Sequence, residues 1–188
     1  MKGTHDSAAD PRNASILIDV NGVLKPRGEA VVSVFDSGFM LGDGVWEGLR
    51  VHRGRIAFLG RHLDRLYEGA KAIAMDIALD RAALARRLYA TLDANGMTDG
   101  VHIRLMVTRG LRSTPYQDPR VVVSAATIVI IPEYKAPLPA IVERGIRLFT
   151  VHVGAAIRRC RTRSSTPTPS STASPPASRR SRRARTRG

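Results

Sequence analysis

Apolar and polar positions follow two different periods along this 188-residue chain. Ser15–Val20 (SILIDV) and Ala30–Phe35 (AVVSVF) are apolar runs of strand length, separated by a Gly- and Pro-bearing turn at Asn21–Gly28. Phe39–Arg50 (FMLGDGVWEGLR) continues into Val51–His52, the turn Arg53-Gly54-Arg55 and Ile56–Leu59, which together read as a hairpin. From Arg61 the period lengthens. Leu63, Leu66, Ala70, Ile73 and Ile77 recur at three to four residues and predict one face of a helix. Leu84, Leu88 and Leu92 mark a second helix over Asp80–Asn95, with Asp80 as N-cap and Asn95-Gly96 as its stop. Val101–Thr108 (VHIRLMVT) alternates like a half-buried strand, Thr127–Ile131 (TIVII) reads as a buried one, and Ile146–Val153 (IRLFTVHV) alternates again. Strands, then two helices, then strands predict an α+β domain with a mostly antiparallel sheet, not a βαβ array.

Composition divides the chain. Residues 1–14 are polar and expected to form a flexible leader. The net charge of +14 would ordinarily point to nucleic acid, but it is unevenly placed. Residues 1–153 carry 20 Lys+Arg against 16 Asp+Glu, whereas residues 154–188 carry ten arginines and no acid. The basic balance therefore says little about the body, 15–153. A single cysteine, Cys160, excludes an internal disulfide framework. No apolar run approaches the roughly 18 residues of a membrane span, and the N-terminus lacks a secretory pattern. A cytoplasmic setting without membrane partners is expected.

Few short motifs carry chemistry by themselves. Gly42-Asp43-Gly44 reads as a sharp turn before a phosphate cradle, and neither a Rossmann nor a Walker fingerprint occurs. The five histidines lack metal-ligand spacing, so no metal is expected. Nothing resembles a hydrolase nucleophile elbow. The charges of Arg61–Leu66 (RHLDRL) fit a solvated helix face, or an arginine fork on a phosphate. Arg104 lies in an apolar alternating strand; it needs an anionic partner if it points inward, and pattern alone leaves an outward orientation equally open. Trp46, the one tryptophan, fits core or pocket wall.

Taken together, FMLGDGVWEGLRVHRGRIAFLGRHLDRLYEGAKAIAMDI and the later VHIRLMVTRG resemble the class IV, or fold type IV, pyridoxal-phosphate aminotransferases. These include branched-chain and D-amino acid aminotransferases and aminodeoxychorismate lyases. The resemblance spans roughly Ser15 to Val153 and implies the small N-terminal domain of that fold. It implies that Arg65, in H-L-D-R-L, binds the phosphate of pyridoxal 5′-phosphate, a task suited to a planar, permanently charged fork. Trp46, Gly48 and Arg50 would line the substrate side, and Arg104 would match the buried arginine of branched-chain-type enzymes that helps organise the site receiving the substrate carboxylate. Amino acids and 2-oxo acids would be the substrates, with a homodimer in intact relatives. Leu41 and His102 stand where branched-chain enzymes commonly have tyrosines. The D-amino acid carboxylate trap does not align with Leu111–Tyr116. A branched-chain-like transaminase is the better fit, with an aminodeoxychorismate-lyase-like enzyme as the alternative.

The family's Schiff-base lysine and the acid facing the pyridine nitrogen belong further along, yet no lysine follows Lys135 and no acid follows Glu143. No catalytic residue can therefore be named. Residues 154–188 hold ten Arg, seven Ser, five Thr, five Ala and four Pro, a composition that cannot bury a core and is expected to be disordered. GC-rich DNA read out of frame produces such a mixture. Ser164–Thr172 (SSTPTPSST) can be written AGC TCA ACT CCC ACT CCA AGC TCA ACT. From the last base of the first codon, those letters read LNSHSKLN, the setting in which branched-chain-like members carry the lysine. A frame change near Val153–Gly154 is thus expected, leaving a truncated, inactive chain. The competing reading, a basic Ser/Arg-rich segment binding nucleic acid through phosphates, lacks the interleaved aromatics that stack bases.

Overall fold

A computed structural model describes residues 10–136, together with 143, 145 and 150. The chain divides into two units, Met1–Arg147 and Leu148–Gly188. Residues 1–9 of the leader, the expected strand Ile146–Val153 apart from Thr150, and the tail 154–188 lie outside the described residues.

Six strands form one sheet: β1 (Leu17–Val20), β2 (Val23–Pro26), β3 (Gly44–His52), β4 (Arg55–Ile56), β5 (Val101–Thr108) and β6 (Thr127–Tyr134). Their order is β2-β1-β6-β5-β3-β4 and every pairing is antiparallel. The described residues include three α-helices, α1 (Ser37–Leu41), α2 (Leu59–Ala72) and α3 (Arg81–Ala94). This is the α+β class, with a short helix added to the two that periodicity predicts.

Leu63, Leu66 and Ala70 of α2 and Leu84, Leu88 and Leu92 of α3 join Leu49, Val51, Ile103, Leu105 and Ile130 from the sheet in one core. Each fully buried Leu or Ile side chain contributes about 1.5–3 kcal/mol of transfer free energy. Asp80 caps α3 as predicted, its carboxylate accepting from the Ala83 N–H at 2.6 Å. The helical stripe ends earlier than its period implies. Ala74 and Ala78 take positive φ, Ile73 is exposed, and Ile77 reaches the core from beyond the helix. Arg109 closes α2 by donating to the Ile73 and Ala74 carbonyls.

Two expectations at the start of the sheet are corrected. The segment Asn21–Gly28 is not one turn. Asn21 (φ 55°) and Gly22 (φ 87°) alone make a tight hairpin turn, and Val23–Pro26 returns as the edge strand β2. An edge strand tolerates Pro26 because one side of its backbone has no ladder to serve. Conversely, Ala30–Phe35 is not a strand. Its valines have strand propensity, but propensity reflects fit to a half-buried surface, and Val31, Val32, Val34 and Phe35 are exposed. Residues 10–14 of the expected leader are described and make tertiary contacts. Pro11–Ser15 form a 3-10 turn, Arg12 stacks 3.6 Å over the Tyr134 ring, and the Asn13 amide bonds both the N–H and the carbonyl of Tyr134.

Pro132 decides where β1 and β6 part. Their register pairs Asp19 with Ile130, so Leu17 would meet Pro132, which has no N–H to donate. The side chain of Asn95, just past α3, takes over: it accepts from the Leu17 N–H at 2.7 Å and donates to the Leu17 carbonyl at 3.0 Å.

Candidate active site

Side chains alternate along β3, so Glu47, Leu49 and Val51 enter the core while Trp46, Gly48 and Arg50 lie on the face opposite α2 and α3. The register sets them beside residues of β5 and β6 in three rows. Trp46 lies beside Met106 and Val129, Gly48 beside Arg104 and Ile131, and Arg50 beside His102 and Glu133. One end of this face is apolar and the other is charged. A cavity of about 510 Å³ opens at the apolar end, walled by Trp46, Met106, Val129 and Ile131 and by Phe39 of α1.

Arg104 points outward, which settles the orientation that pattern left open. Its guanidinium lies 4.2 Å over the Trp46 ring, a cation–π contact, and no carboxylate pairs with it among the described residues. Trp46, 61% exposed, is therefore wall and not core. Arg50 donates to the Lys135 carbonyl at 2.6 Å. Gly48 gives the neighbouring imidazole room: a Cβ there would stand 3.1 Å from Nε2 of His102. Burial lowers the pKa of His102, and the charges of Lys135, Arg104 and Arg50 lower it further against the pull of Glu133. A neutral imidazole beside three cations makes this end attractive to anions.

Arg65 is not on that face. It projects from α2, and its Nε and Nη2 grip both oxygens of Glu47, Nε at 2.7 Å from Oε1. Glu47 is 2% exposed and also accepts from Nδ1 of His62 at 2.8 Å. Burial opposes ionisation of Glu47, but the hydrogen bonds from Arg65 and His62 outweigh it, and its pKa falls below the usual carboxylate range. The Arg65 side chain remains 71% exposed. Sequence reasoning missed Glu47, and it placed His62 on a solvated helix face and not beside a buried carboxylate. The signal was present: if Trp46 and Gly48 point outward, Glu47 must point inward, and His62 and Arg65 lie three apart on one helix face.

Gly42-Asp43-Gly44 is a turn. Gly42 (φ 66°) ends α1 in the left-handed conformation, and Asp43 forms a two-toothed pair with Arg109. A Cβ on Gly44 would stand 2.6 Å from the Val107 carbonyl oxygen, which fixes that glycine by close backbone approach. No group of three His, Cys, Asp or Glu among the described residues could hold a metal. No helix among them is long and apolar enough to cross a membrane.

The sequence model of the amino-transferase class IV family matches residues 44–169. This chain belongs to the class IV aminotransferases. The family depends on pyridoxal 5′-phosphate and is classed among the aminotransferases. The branched-chain-amino-acid aminotransferase-like protein 1 of Arabidopsis thaliana is 43% identical over 128 residues, covering 68% of this class IV chain and 23% of the plant protein. The branched-chain aminotransferase of Thermoproteus uzoniensis, solved with norvaline, superposes with a TM-score of 0.54 at 28% identity, over 63% of this chain and 40% of that one. The 4-amino-4-deoxychorismate lyase of Pseudomonas aeruginosa superposes with a TM-score of 0.51 at 38% identity, over 68% and 42%. This class IV chain thus spans well under half the length of each.

Proposed function

We propose that the body of this chain is the phosphate- and substrate-binding half of a branched-chain-like aminotransferase. The observation that carries this is the graded face of β3, β5 and β6. Its cationic end suits a carboxylate, and the cavity at its apolar end suits an aliphatic side chain. Arg104, stacked on Trp46 and without a carboxylate of its own among the described residues, would receive the substrate carboxylate. Arg50 would add to the positive field, and neutral His102, given room by Gly48, would offer a ring N–H as a hydrogen-bond donor.

The phosphate end of pyridoxal 5′-phosphate fits the residues present. Glu47 occupies the Nε–Nη2 edge of Arg65, and the Nη1–Nη2 end of an exposed guanidinium remains for a phosphate fork. When bound, the cofactor supplies an electron sink for the charge left as the α-proton departs. What the described residues lack is the anchoring base. Lys25, Lys71 and Lys135 are the lysines among them, and none lines the cavity. With no lysine at the cavity among the described residues to move that proton, we propose that this chain binds and orients but does not turn over. We attribute the missing lysine to the frame change read near Val153–Gly154, which returns LNSHSKLN from Ser164–Thr172.

Resequencing the coding DNA over Val151–Gly188 tests the frame, and assays of the frame-restored and present chains test the function. The expected result is transfer from an aliphatic amino acid to a 2-oxo acid by the restored chain only. Turnover by the present chain would overturn the inactive reading. The 38% identity to the lyase supports a second reading, in which the restored chain cleaves aminodeoxychorismate instead; assaying both reactions separates the two.

A further inference from the structure

Glu47 is a buried acid, 2% exposed, to which the proposed chemistry gives no part. It sits on β3 between Trp46 and Gly48, two residues of the open face, and by strand alternation its own side chain projects to the helical side. There both carboxylate oxygens are engaged, Oε1 by Arg65 Nε and Oε2 by Arg65 Nη2 and His62 Nδ1. For His62 to donate to a carboxylate, Nδ1 must carry the proton.

A guanidinium presents two useful edges, and the edge that is gripped determines where the other points. Glu47 takes the side-on edge, so the end-on Nη pair of Arg65 is turned away from the strand and left in solvent. An exposed arginine on a helix otherwise samples many rotamers, and ordering one costs side-chain entropy at each binding event. A buried acid clamped from a second side by His62 meets that cost once, on folding. It also does so from the strand that carries Trp46, so the fork and the open face share one rigid element.

We infer that Glu47 is a positioning residue that aims Arg65 at a phosphate monoester, with His62 holding the Glu47 carboxylate in place. This rests on the reading of Arg65 as the phosphate fork. It adds a residue that touches neither phosphate nor substrate but sets the direction from which the phosphate is held.

The test uses the full chain and two probes without an aldehyde, pyridoxine 5′-phosphate and pyridoxine, so that surface lysines do not react. Affinities are read by calorimetry and by quenching of Trp46, the one tryptophan, with far-UV circular dichroism as the folding check. The quantity of interest is the ratio of the two affinities, which isolates the phosphate. Wild type should favour the phosphate ester by about tenfold or more, as a charge-assisted fork implies. Glu47→Gln should retain the fold and lose most of that preference. Arg65→Lys should lose it as well, because a single ammonium cannot serve Glu47 and an anion along fixed directions. A role confined to fastening α2 would lower stability in Glu47→Gln and leave the ratio intact.

An unchanged ratio in folded Glu47→Gln, with loss in Arg65→Ala, overturns the positioning role and leaves the phosphate reading standing. An unchanged ratio in Arg65→Ala, or no preference in wild type, overturns both. Where Glu47→Gln does not fold, Arg65→Lys decides: a full wild-type preference overturns the inference, and its loss supports it.

Discussion

Arg87 and Asp19 join α3 to β1, and removing the arginine tests how far the fold depends on that ion pair. Arg87 directs Nε, at 3.0 and 2.8 Å, and Nη2 onto the Asp19 carboxylate. Asp19 is 3% exposed, and among the described residues its remaining donor is the Gly22 N–H at 3.0 Å. Arg87→Met keeps most of the stem and removes every guanidinium donor, leaving a buried charge with one backbone N–H. Breaking one side of a buried pair costs about 3–5 kcal/mol. The Arg87 side chain is 18% exposed, so water can reach the vacated side, and the lower end, about 3 kcal/mol, applies. That is a large fraction of the roughly 5–15 kcal/mol that holds a domain together. Adding Asp19→Asn removes the charge and leaves an amide needing only ordinary hydrogen bonds, so the double variant should lose only about 1 kcal/mol relative to wild type. Urea denaturation followed by far-UV circular dichroism on all four chains gives the coupling directly. A loss below about 1 kcal/mol for Arg87→Met would place the pair among solvent-exposed ones. That result, or no recovery in the double variant, refutes the argument.

Three further outcomes follow from other parts of the fold. The depressed pKa of Glu47 means that its contribution to stability is complete above the unfolded carboxyl value of about 4.3 and is lost as pH falls through the folded value. Urea midpoints should therefore decline on acidification below about pH 5, and Glu47→Gln should flatten that decline; an unaltered slope refutes it. Asn95→Ala should cost about 1–3 kcal/mol, because Leu17 loses the side-chain partners of its N–H and its carbonyl and Pro132 has no N–H to offer that carbonyl; a midpoint equal to wild type would show that water fills the gap. A Cβ on Gly38 would stand 2.3 Å from Thr108 Cγ2, so Gly38→Ala should cost about 1–3 kcal/mol by overpacking. Thr108→Ser, which deletes that methyl, should recover part of the loss, and no recovery would mean the strain lies elsewhere.

Much of the architecture was legible because it rests on local rules. The stripe Leu84, Leu88, Leu92 with Asp80 before it specifies a capped amphipathic helix, and the alternation of Val101–Thr108 specifies a strand with one face in the core. Trp46, Gly48, Arg50 and Arg104, singled out by their motifs, lie together on one face of the sheet. The sequence by itself also determined that no lysine follows Lys135, and with it the question of frame.

Other features were decided by residues far apart in the chain. Ala30–Phe35 has the composition of a strand and is not one, while Val23–Pro26 looks like a turn and forms the sheet edge, because a strand exists only where a neighbour accepts its hydrogen bonds. Arg104 was ambiguous until the register of β3 against β5 set it over Trp46. Arg65 looked like a solvated charge or a free fork, and it is a fork already held on one edge by Glu47, eighteen residues earlier. Periodicity tells which side of its own element a side chain takes. Which partner waits there depends on how the elements pack, and a buried carboxylate makes that choice matter because its charge must be matched wherever it is enclosed.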